Sequence, residues 1–133
     1  MNYMLDTNLC IYIMKNHPPE IKEILNGCPI GSVSISSIVL AELSFGISKS
    51  QHKEKNEVAL KDFLKYCDVK NWPYQAAGIY GEIRTELQSK GNIIGGNDLL
   101  IAAHAIYEEA TFVTNNIKEF DRVTNLELEN WLS

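Results

Sequence analysis

Four acidic residues occupy places in the chain from which their side chains could meet. Asp6 directly follows the first apolar run, and Asp98 directly precedes another. Glu42 lies in a helix-like stretch, and Glu119 follows a third apolar run. Four carboxylates that converge repel one another at low dielectric, and a divalent cation relieves that repulsion. The residues therefore predict a site for Mg²⁺ or Mn²⁺ rather than zinc, since both ions prefer oxygen ligands.

Phosphodiester hydrolysis is the chemistry that such a site supports. A cation held by carboxylates withdraws charge from a phosphoryl group, activates water and stabilises the leaving oxygen. The residues leave open whether one ion is held or two ions about 4 Å apart. Other hydrolytic schemes lack their residues, because the sequence has no GxxxxGK phosphate loop, no HExxH zinc motif and no Ser–His–Asp order.

Each of these residues also has a purely structural interpretation. Asp6 and Asp98 could simply cap the helices that follow them. Glu42 and Glu119 could be solvated residues on helix faces. His104 falls within an apolar helix, which indicates a hydrogen-bonded core histidine, with a catalytic role as the alternative.

The elements that would position these residues alternate between strands and helices. Strands are expected at 2–5, 32–35, around 69, at 111–114 and at 126–128. Helices are expected at 9–14, 19–25, 38–47, 53–66, 73–90 and 99–107, with a turn or short helix over 115–120. Pro19 suits the first position of the second helix, and Ser36-Ser37 offers a cap for the third. The residues of the fourth helix available for a core face are Val58, Leu60, Phe63 and Leu64. The alternation predicts a three-layer α/β/α domain with a central parallel sheet. Ligands of such sheets bind beyond the carboxyl ends of the strands, where the acids are expected to meet.

Length and cysteine usage indicate the class of protein. A chain of 133 residues fits a single domain over 1–133. Its three cysteines, Cys10, Cys28 and Cys67, lack paired spacing, which is typical of reduced thiols. The first residues lack the basic region and long apolar stretch of a secretory signal, and the run over 99–103 is too short to span a bilayer. These features predict a cytoplasmic protein with no membrane partner.

The formal net charge of −5 argues against broad, nonspecific binding to nucleic acid, because phosphates attract Lys and Arg. Neutralising four metal-bound carboxylates would bring that charge from −5 to −1. The charge therefore still permits a nuclease that grips its substrate locally.

Four stretches of the sequence resemble successive blocks of PIN domains of the VapC type. They are MLDTNLCIYI, SISSIVLAELSFGISKS, GGNDLLIAAHA and FVTNNIKEFDRVTNLELENW. The blocks occur in order and cover nearly the whole chain. The resemblance implies a PIN-like α/β/α fold and a metal-dependent endoribonuclease, directed at single-stranded RNA, that uses Mg²⁺ or Mn²⁺.

The resemblance also implies which residues carry the metal. Asp6, Glu42 and Asp98 match the acidic positions of the first three blocks. In the last block many PIN domains have an Asp where this chain has Asn116, so one charge is lost there. Glu119 is the nearest acid and is assigned as the fourth catalytic and metal-binding carboxylate. Asn116 could still coordinate the cation through its carbonyl oxygen or through a water molecule.

Four further residues have smaller roles by the same resemblance. Asp121 is a weaker candidate than Glu119 for the fourth carboxylate. Thr7, Asn8 and Thr114 resemble residues that orient the metal-binding carboxylates.

As a member of this family, the chain would be the toxin of a type II toxin–antitoxin system. Similar toxins are neutralised by a cognate VapB-type antitoxin, commonly form homodimers and reach operator DNA only through the antitoxin. Likeness to enterobacterial VapC toxins implies a structured RNA substrate, and initiator tRNA is the expected target.

Three other functions are compatible with parts of the pattern. A PIN nuclease for RNA maturation or single-stranded DNA would have no antitoxin, and a neighbouring gene for a small DNA-binding protein with a basic tail would argue against it. A non-catalytic, receiver-like signalling domain would need an acidic pair after its first strand, where this chain has one acid, and a Lys after its fifth, whereas Lys118 stands too late. A catalytically inactive binding module conflicts with the intact acids at positions 6, 42 and 98.

Overall fold

A five-stranded parallel sheet forms the centre of the protein in a computed structural model that describes residues 2–132. The strands are β1 (Tyr3–Leu5), β2 (Val33–Ser36), β3 (Asp68–Lys70), β4 (Thr111–Val113) and β5 (Leu128–Glu129). Their order in the sheet is β3-β2-β1-β4-β5, so the first strand of the chain lies in the middle.

Helices connect the strands and flank the sheet. They are α1 (Thr7–Met14), α2 (Pro19–Gly27), α3 (Ser37–Ser48), α4 (Lys53–Phe63), α5 (Ala77–Ser89), α6 (Gly96–Tyr107) and α7 (Ile117–Phe120). The chain runs along the sheet from β1 to β3 and then returns past β1 to β4. Because parallel crossovers are right-handed, α5 and α6 on the return cover the face opposite to the earlier helices. The predicted three-layer α/β/α fold is confirmed.

The three interior strands, β2, β1 and β4, are largely buried because helices cover both faces of the sheet. Met4 and Leu5 of β1 and Phe112 and Val113 of β4 lie in the core. The ring of Phe112 packs against that of Phe120, with 4.8 Å between the ring centroids. The strand ends that carry the acids are therefore held in a rigid, packed layer.

The starts of three helices determine where the acids lie. Asp6 accepts a hydrogen bond from the Thr7 backbone and caps α1, while the Ser36 hydroxyl caps α3. The residue before α6 is Gly95, which has no side chain to donate or accept. Asp98 consequently lies in the first turn of α6, and its interpretation as a helix cap is wrong.

Most predicted boundaries differ from the structure by one to three residues, and one expected core position is exposed. The helix expected to end at Tyr66 ends at Phe63, and a 3₁₀ turn over Tyr74–Ala76 precedes α5. The last strand is Leu128–Glu129 rather than 126–128. Val58, expected on the core face of α4 with Phe63, is 60% exposed. Within residues 2–132, no helix combines the length and apolar character needed to cross a membrane.

Candidate active site at the carboxyl edge of the sheet

Asp6 and Thr114 meet where β1 and β4 end. Leu5 pairs with Val113 in the register of these strands, which places the two following residues side by side. Thr114 Oγ1 donates to Asp6 Oδ2 at 2.8 Å, and the Thr7 backbone N–H donates to Asp6 Oδ1 at 2.7 Å. Burial raises the pKa of Asp6, and the two hydrogen bonds offset part of that rise. Both carboxylate oxygens are thereby fixed in direction.

Glu42 joins this group from the middle of α3. Thr7 Oγ1 donates to Glu42 Oε1 at 2.6 Å, so Thr7 contacts Asp6 through its backbone and Glu42 through its side chain. The predicted orienting contacts of Thr7 and Thr114 are therefore present. Asn8 is exposed and, within residues 2–132, makes no hydrogen bond to an acid. One helical residue beyond Thr7, its side chain is turned by about 100° and faces solvent.

Asp98 and Glu119 complete the group from α6 and α7. The pKa of Asp98 is raised to about 8, first by burial and then by Glu119, whose carboxyl group lies within hydrogen-bonding reach and carries like charge. Asp6 and Glu42 act in the same direction with smaller effect. The positive end of α6 favours an ionised Asp in its first turn, but burial and the neighbouring carboxylates outweigh it. Without a cation, Asp98 is mostly protonated at neutral pH.

Asn116 holds Glu119 at the end of β4. Its side-chain Nδ2 donates to Glu119 Oε2 at 3.0 Å, and its backbone N–H donates to Thr114 Oγ1 at 3.0 Å. Glu119 Oε1 is buried, and none of the described residues provides it with a fixed donor. A buried oxygen without a partner is costly, and it is an open position for a proton or a cation.

Asp121 and His104, the two weaker candidates, lie apart from this group. Asp121 directly follows α7, is exposed and, within residues 2–132, makes no side-chain hydrogen bond to the group. His104 is fully buried in α6, and its Nε2 lies 3.5 Å from Glu108 Oε2 without the alignment of a hydrogen bond. Burial lowers the pKa of His104, and the charges that act on it are those of Glu108 and Lys70. Among residues 2–132, no well-aligned hydrogen bond to His104 is present, but Glu108 lies close enough to counter part of the effect of burial on its pKa. His104 is not part of the acidic group.

Known proteins resemble this chain in both sequence and fold. The model of the PIN domain family matches residues 3–126. The chain belongs to the PIN-domain family. It is 53% identical over 132 residues to Ribonuclease VapC2 of Rickettsia felis, with 98% of both chains covered. It is 40% identical to the tRNA(fMet)-specific endonuclease VapC of Shigella flexneri, again with 98% of both chains covered.

Solved structures of similar PIN-domain proteins agree. VapBC2 from Rickettsia felis, bound to a DNA fragment from its promoter, has a chain that matches with a TM-score of 0.89 and 50% identity over 98% of this chain and 99% of that one. DNA-bound VapBC from Salmonella typhimurium matches with a TM-score of 0.92 and 40% identity over 98% of both chains. This PIN-domain protein is therefore a ribonuclease toxin of the VapC type.

The residues present fit a hard divalent cation, and PIN nucleases are typically metal-dependent. The facing side chains offer oxygen ligands, burial and Glu119 raise the pKa of Asp98 to about 8, and Glu119 Oε1 is buried with no fixed donor among residues 2–132. Within residues 2–132, no three His, Cys, Asp or Glu side chains lie close enough together to form a metal site as they stand. Carboxylates without a cation repel one another, and Mg²⁺ usually keeps several waters and binds only one or two carboxylates directly. A cation at this edge would thus draw the carboxylates closer.

Sequence reasoning missed one function of Asn116, and it assigned no function to Gly95. It treated Asn116 only as a ligand that replaces an acid, whereas the amide group also holds Glu119. The spacing of three residues on a helical turn is the signal for such a contact. At Gly95 a Cβ atom would lie 3.4 Å from Asp98 Oδ2, so the glycine keeps that side of the carboxyl group open. The Gly95-Gly96 pair just before Asp98 is the corresponding signal in the sequence.

Proposed function

We propose that this PIN-domain protein is an endoribonuclease toxin whose Asp6, Glu42, Asp98 and Glu119 hold Mg²⁺ or Mn²⁺. The observation that carries the proposal is the close approach of the Asp98 and Glu119 carboxyls, which with burial raises the pKa of Asp98 to about 8. A fold rarely retains such repulsion unless a function requires it, and perturbed carboxyls at a strand-end crevice are typical of active sites.

A divalent cation at this site would neutralise charge on the phosphodiester and activate the attacking water. Asp6 is held by hydrogen bonds to both of its oxygens, so its direction is fixed before RNA binds. Thr7 orients Glu42, and the Asn116 amide leaves Glu119 Oε1 as the open oxygen. Asp98 must lose its proton to become a ligand, so metal affinity should rise with pH up to about 8.

Initiator tRNA is the substrate we propose. The support is the 40% identity to the Shigella flexneri protein named as a tRNA(fMet)-specific endonuclease. The test incubates purified toxin and Mg²⁺ with initiator tRNA or with elongator methionine tRNA and maps the new RNA ends. A single cut confined to the initiator species is expected. Equal cleavage of both tRNAs would refute the target while leaving the ribonuclease activity intact.

The proposed partner is a VapB-type antitoxin encoded beside this chain. The support is the likeness to two VapBC complexes bound to DNA. The toxin alone is expected to be a homodimer and, with a net charge of −5, to bind operator DNA only through the antitoxin. Gel-shift assays with toxin, antitoxin and complex test this, and a shift by the toxin alone would contradict it.

A further inference from the structure

An exposed aromatic side chain lies next to the acidic group on α3. Phe45 follows Glu42 by about one helical turn and is 65% exposed. The Nζ of Lys49 lies 4.9 Å from the centroid of the Phe45 ring. Large aromatic side chains usually bury most of their surface, so this exposed ring beside a candidate active site has surface available for a ligand.

Glu42, Phe45 and Lys49 lie along one side of α3. Steps of three and four residues place side chains one above another on a helix. With a rise of about 1.5 Å per residue, Phe45 lies about 4.5 Å and Lys49 about 10 Å along the axis from Glu42. The ring and the ammonium group therefore follow the acid in a line that leads away from the carboxyl edge of the sheet.

The segment that follows Glu42 along α3 has a charge opposite in sign to that of the whole chain. Residues 43–53 include Lys49, His52 and Lys53 and no Asp or Glu, although the chain carries a net charge of −5. A hollow of about 380 Å³ lies beyond the end of α3 and is lined by residues 50–55, in which Lys53 and Lys55 outnumber the single acid Glu54. A locally basic track that starts at an acidic centre fits an anionic polymer whose one phosphate enters that centre.

Single-stranded nucleic acid is the partner that this chemistry fits. Proteins bind it with aromatic rings that stack on bases and with cations that pair with phosphates. A protein partner that used Phe45 as an anchor would need further apolar surface around it, yet its exposed neighbours on α3 are Ala41, Ser44 and Ser48. Among the exposed residues of α3 the ring has only small neighbours, and Lys49 adds a cation, which favours a base over a protein.

We propose that Phe45 stacks on the base next to the scissile phosphodiester and that Lys49 pairs with the following phosphate. The contact between Lys49 and the ring is exposed and therefore weak enough to be exchanged for one with RNA. This inference rests on the proposed metal centre, because it takes Glu42 to mark the place where the chain is cut.

The test measures affinity for a short, fluorescein-labelled single-stranded oligoribonucleotide by anisotropy, in Mg²⁺ and in the Asp98→Asn background. Phe45→Ala should weaken binding between about fivefold and about 150-fold, the range for loss of one stacked base. Phe45→Leu should lose about as much, whereas Phe45→Trp should bind as the parent does. Tyr74→Ala, at a site that is 82% exposed, is the matched control and should change nothing.

Two further readouts separate stacking from a merely structural role. Lys49→Gln should weaken binding and reduce the slope of affinity against salt by about one. In the active enzyme Phe45→Ala should raise KM with little change in kcat, as expected for lost substrate binding. Thermal unfolding should be unchanged, since the Phe45 side chain is exposed.

Some results would overturn the inference. Parental affinity of Phe45→Leu would exclude stacking, and a lower molar mass of Phe45→Ala in light scattering would assign the face to a second copy of the chain. Cleavage of the probe by Asp98→Asn would count instead against the metal centre. In that case the Phe45 variants would be compared in EDTA. Failure of the stacking inference and failure of the metal centre are therefore distinguishable.

Discussion

Thr114 Oγ1 donates a hydrogen bond of 2.8 Å to Asp6 Oδ2 across 108 positions of sequence, and both side chains are buried. Thr114 also accepts a hydrogen bond from the Asn116 backbone. The Thr114 hydroxyl group thus links Asp6, after β1, to the segment after β4 that leads into α7 and Glu119. The two halves of the acidic group depend on the same residue.

Replacing Thr114 by Val should disturb stability and activity together. The change removes the hydroxyl and keeps the shape, so Asp6 Oδ2 and the Asn116 backbone N–H both lose their partner. Unpaired buried groups cost about 1–3 kcal/mol, and we expect the free energy of unfolding in urea to fall by that amount. RNA cleavage should fall as well. Thr114→Ser is the control and should keep most of both, and parental behaviour of Thr114→Val would show that this hydrogen bond contributes little.

The stability of the metal-free protein should depend on pH through Asp98. Its pKa is about 8 in the folded protein against an ordinary value of 3.8, so it binds more protons folded than unfolded. Its contribution is fully present below about pH 4 and is lost as pH rises towards and through about 8. Asp6, whose pKa is also raised, acts in the same direction.

Asp98→Asn isolates this effect because it removes the titrating group. In EDTA the variant should gain stability relative to the parent as pH rises from 4 to 8, the interval between the two pKa values. Urea unfolding of both proteins at several pH values measures the difference. A difference that does not change with pH would mean that Asp98 titrates normally.

Substitutions at the three candidate positions for the fourth ligand should reduce cleavage to different extents. The positions are Glu119, Asn116 and Asp121. Glu119 has a buried carboxylate oxygen that faces no fixed donor among the described residues, and Asp121 is exposed. Glu119→Gln should therefore reduce kcat most and Asp121→Asn least. Asn116→Ala should be intermediate, because it frees Glu119 without removing its charge. If Asp121→Asn were the most damaging, the assignment of the fourth acid would be wrong.

The antitoxin should place a basic side chain into the acidic group. A guanidinium fits best, since its planar fork pairs with a carboxylate through two hydrogen bonds. Replacing that Arg or Lys in the partner by Gln should restore RNA cleavage while binding, measured by calorimetry, persists through apolar contacts. Inhibition that survives the replacement would indicate another route, such as separation of a toxin dimer.

The sequence was sufficient to predict the acidic edge because its signals are local. A polar residue after a buried strand indicates the carboxyl edge of a parallel sheet, and Asp6 does lie there. Thr114, which contacts Asp6, was expected within the strand over 111–114 and was assigned to the carboxylates only by the family resemblance. The cap at Ser36 and the break before Pro19 fixed the starts of two helices. These features depend on neighbours in the chain, which a sequence displays.

Other features depend on contacts that a sequence does not display. The apolar pattern placed Val58 on a core face, but the packing of α4 leaves that residue 60% exposed. The capping propensity of Asp98 was misleading, because Gly95 and Gly96 let α6 begin earlier. Asn8 seemed equivalent to Thr7 until the rotation of α1 turned it to solvent. The order of the strands, which brings β4 beside β1, was also beyond local patterns.

Cleavage of initiator tRNA by metal-free toxin, before and after addition of Mg²⁺ or Mn²⁺, tests the central claim most directly. The parent protein should be inactive in EDTA and recover with either ion, because the ligands are hard oxygens. Asp6→Asn and Asp98→Asn should remain folded by circular dichroism and lose cleavage by orders of magnitude at any metal concentration. Full activity of the parent in EDTA, or near-parental activity of either variant with Mg²⁺, would contradict the assignment of a metal centre to these acids.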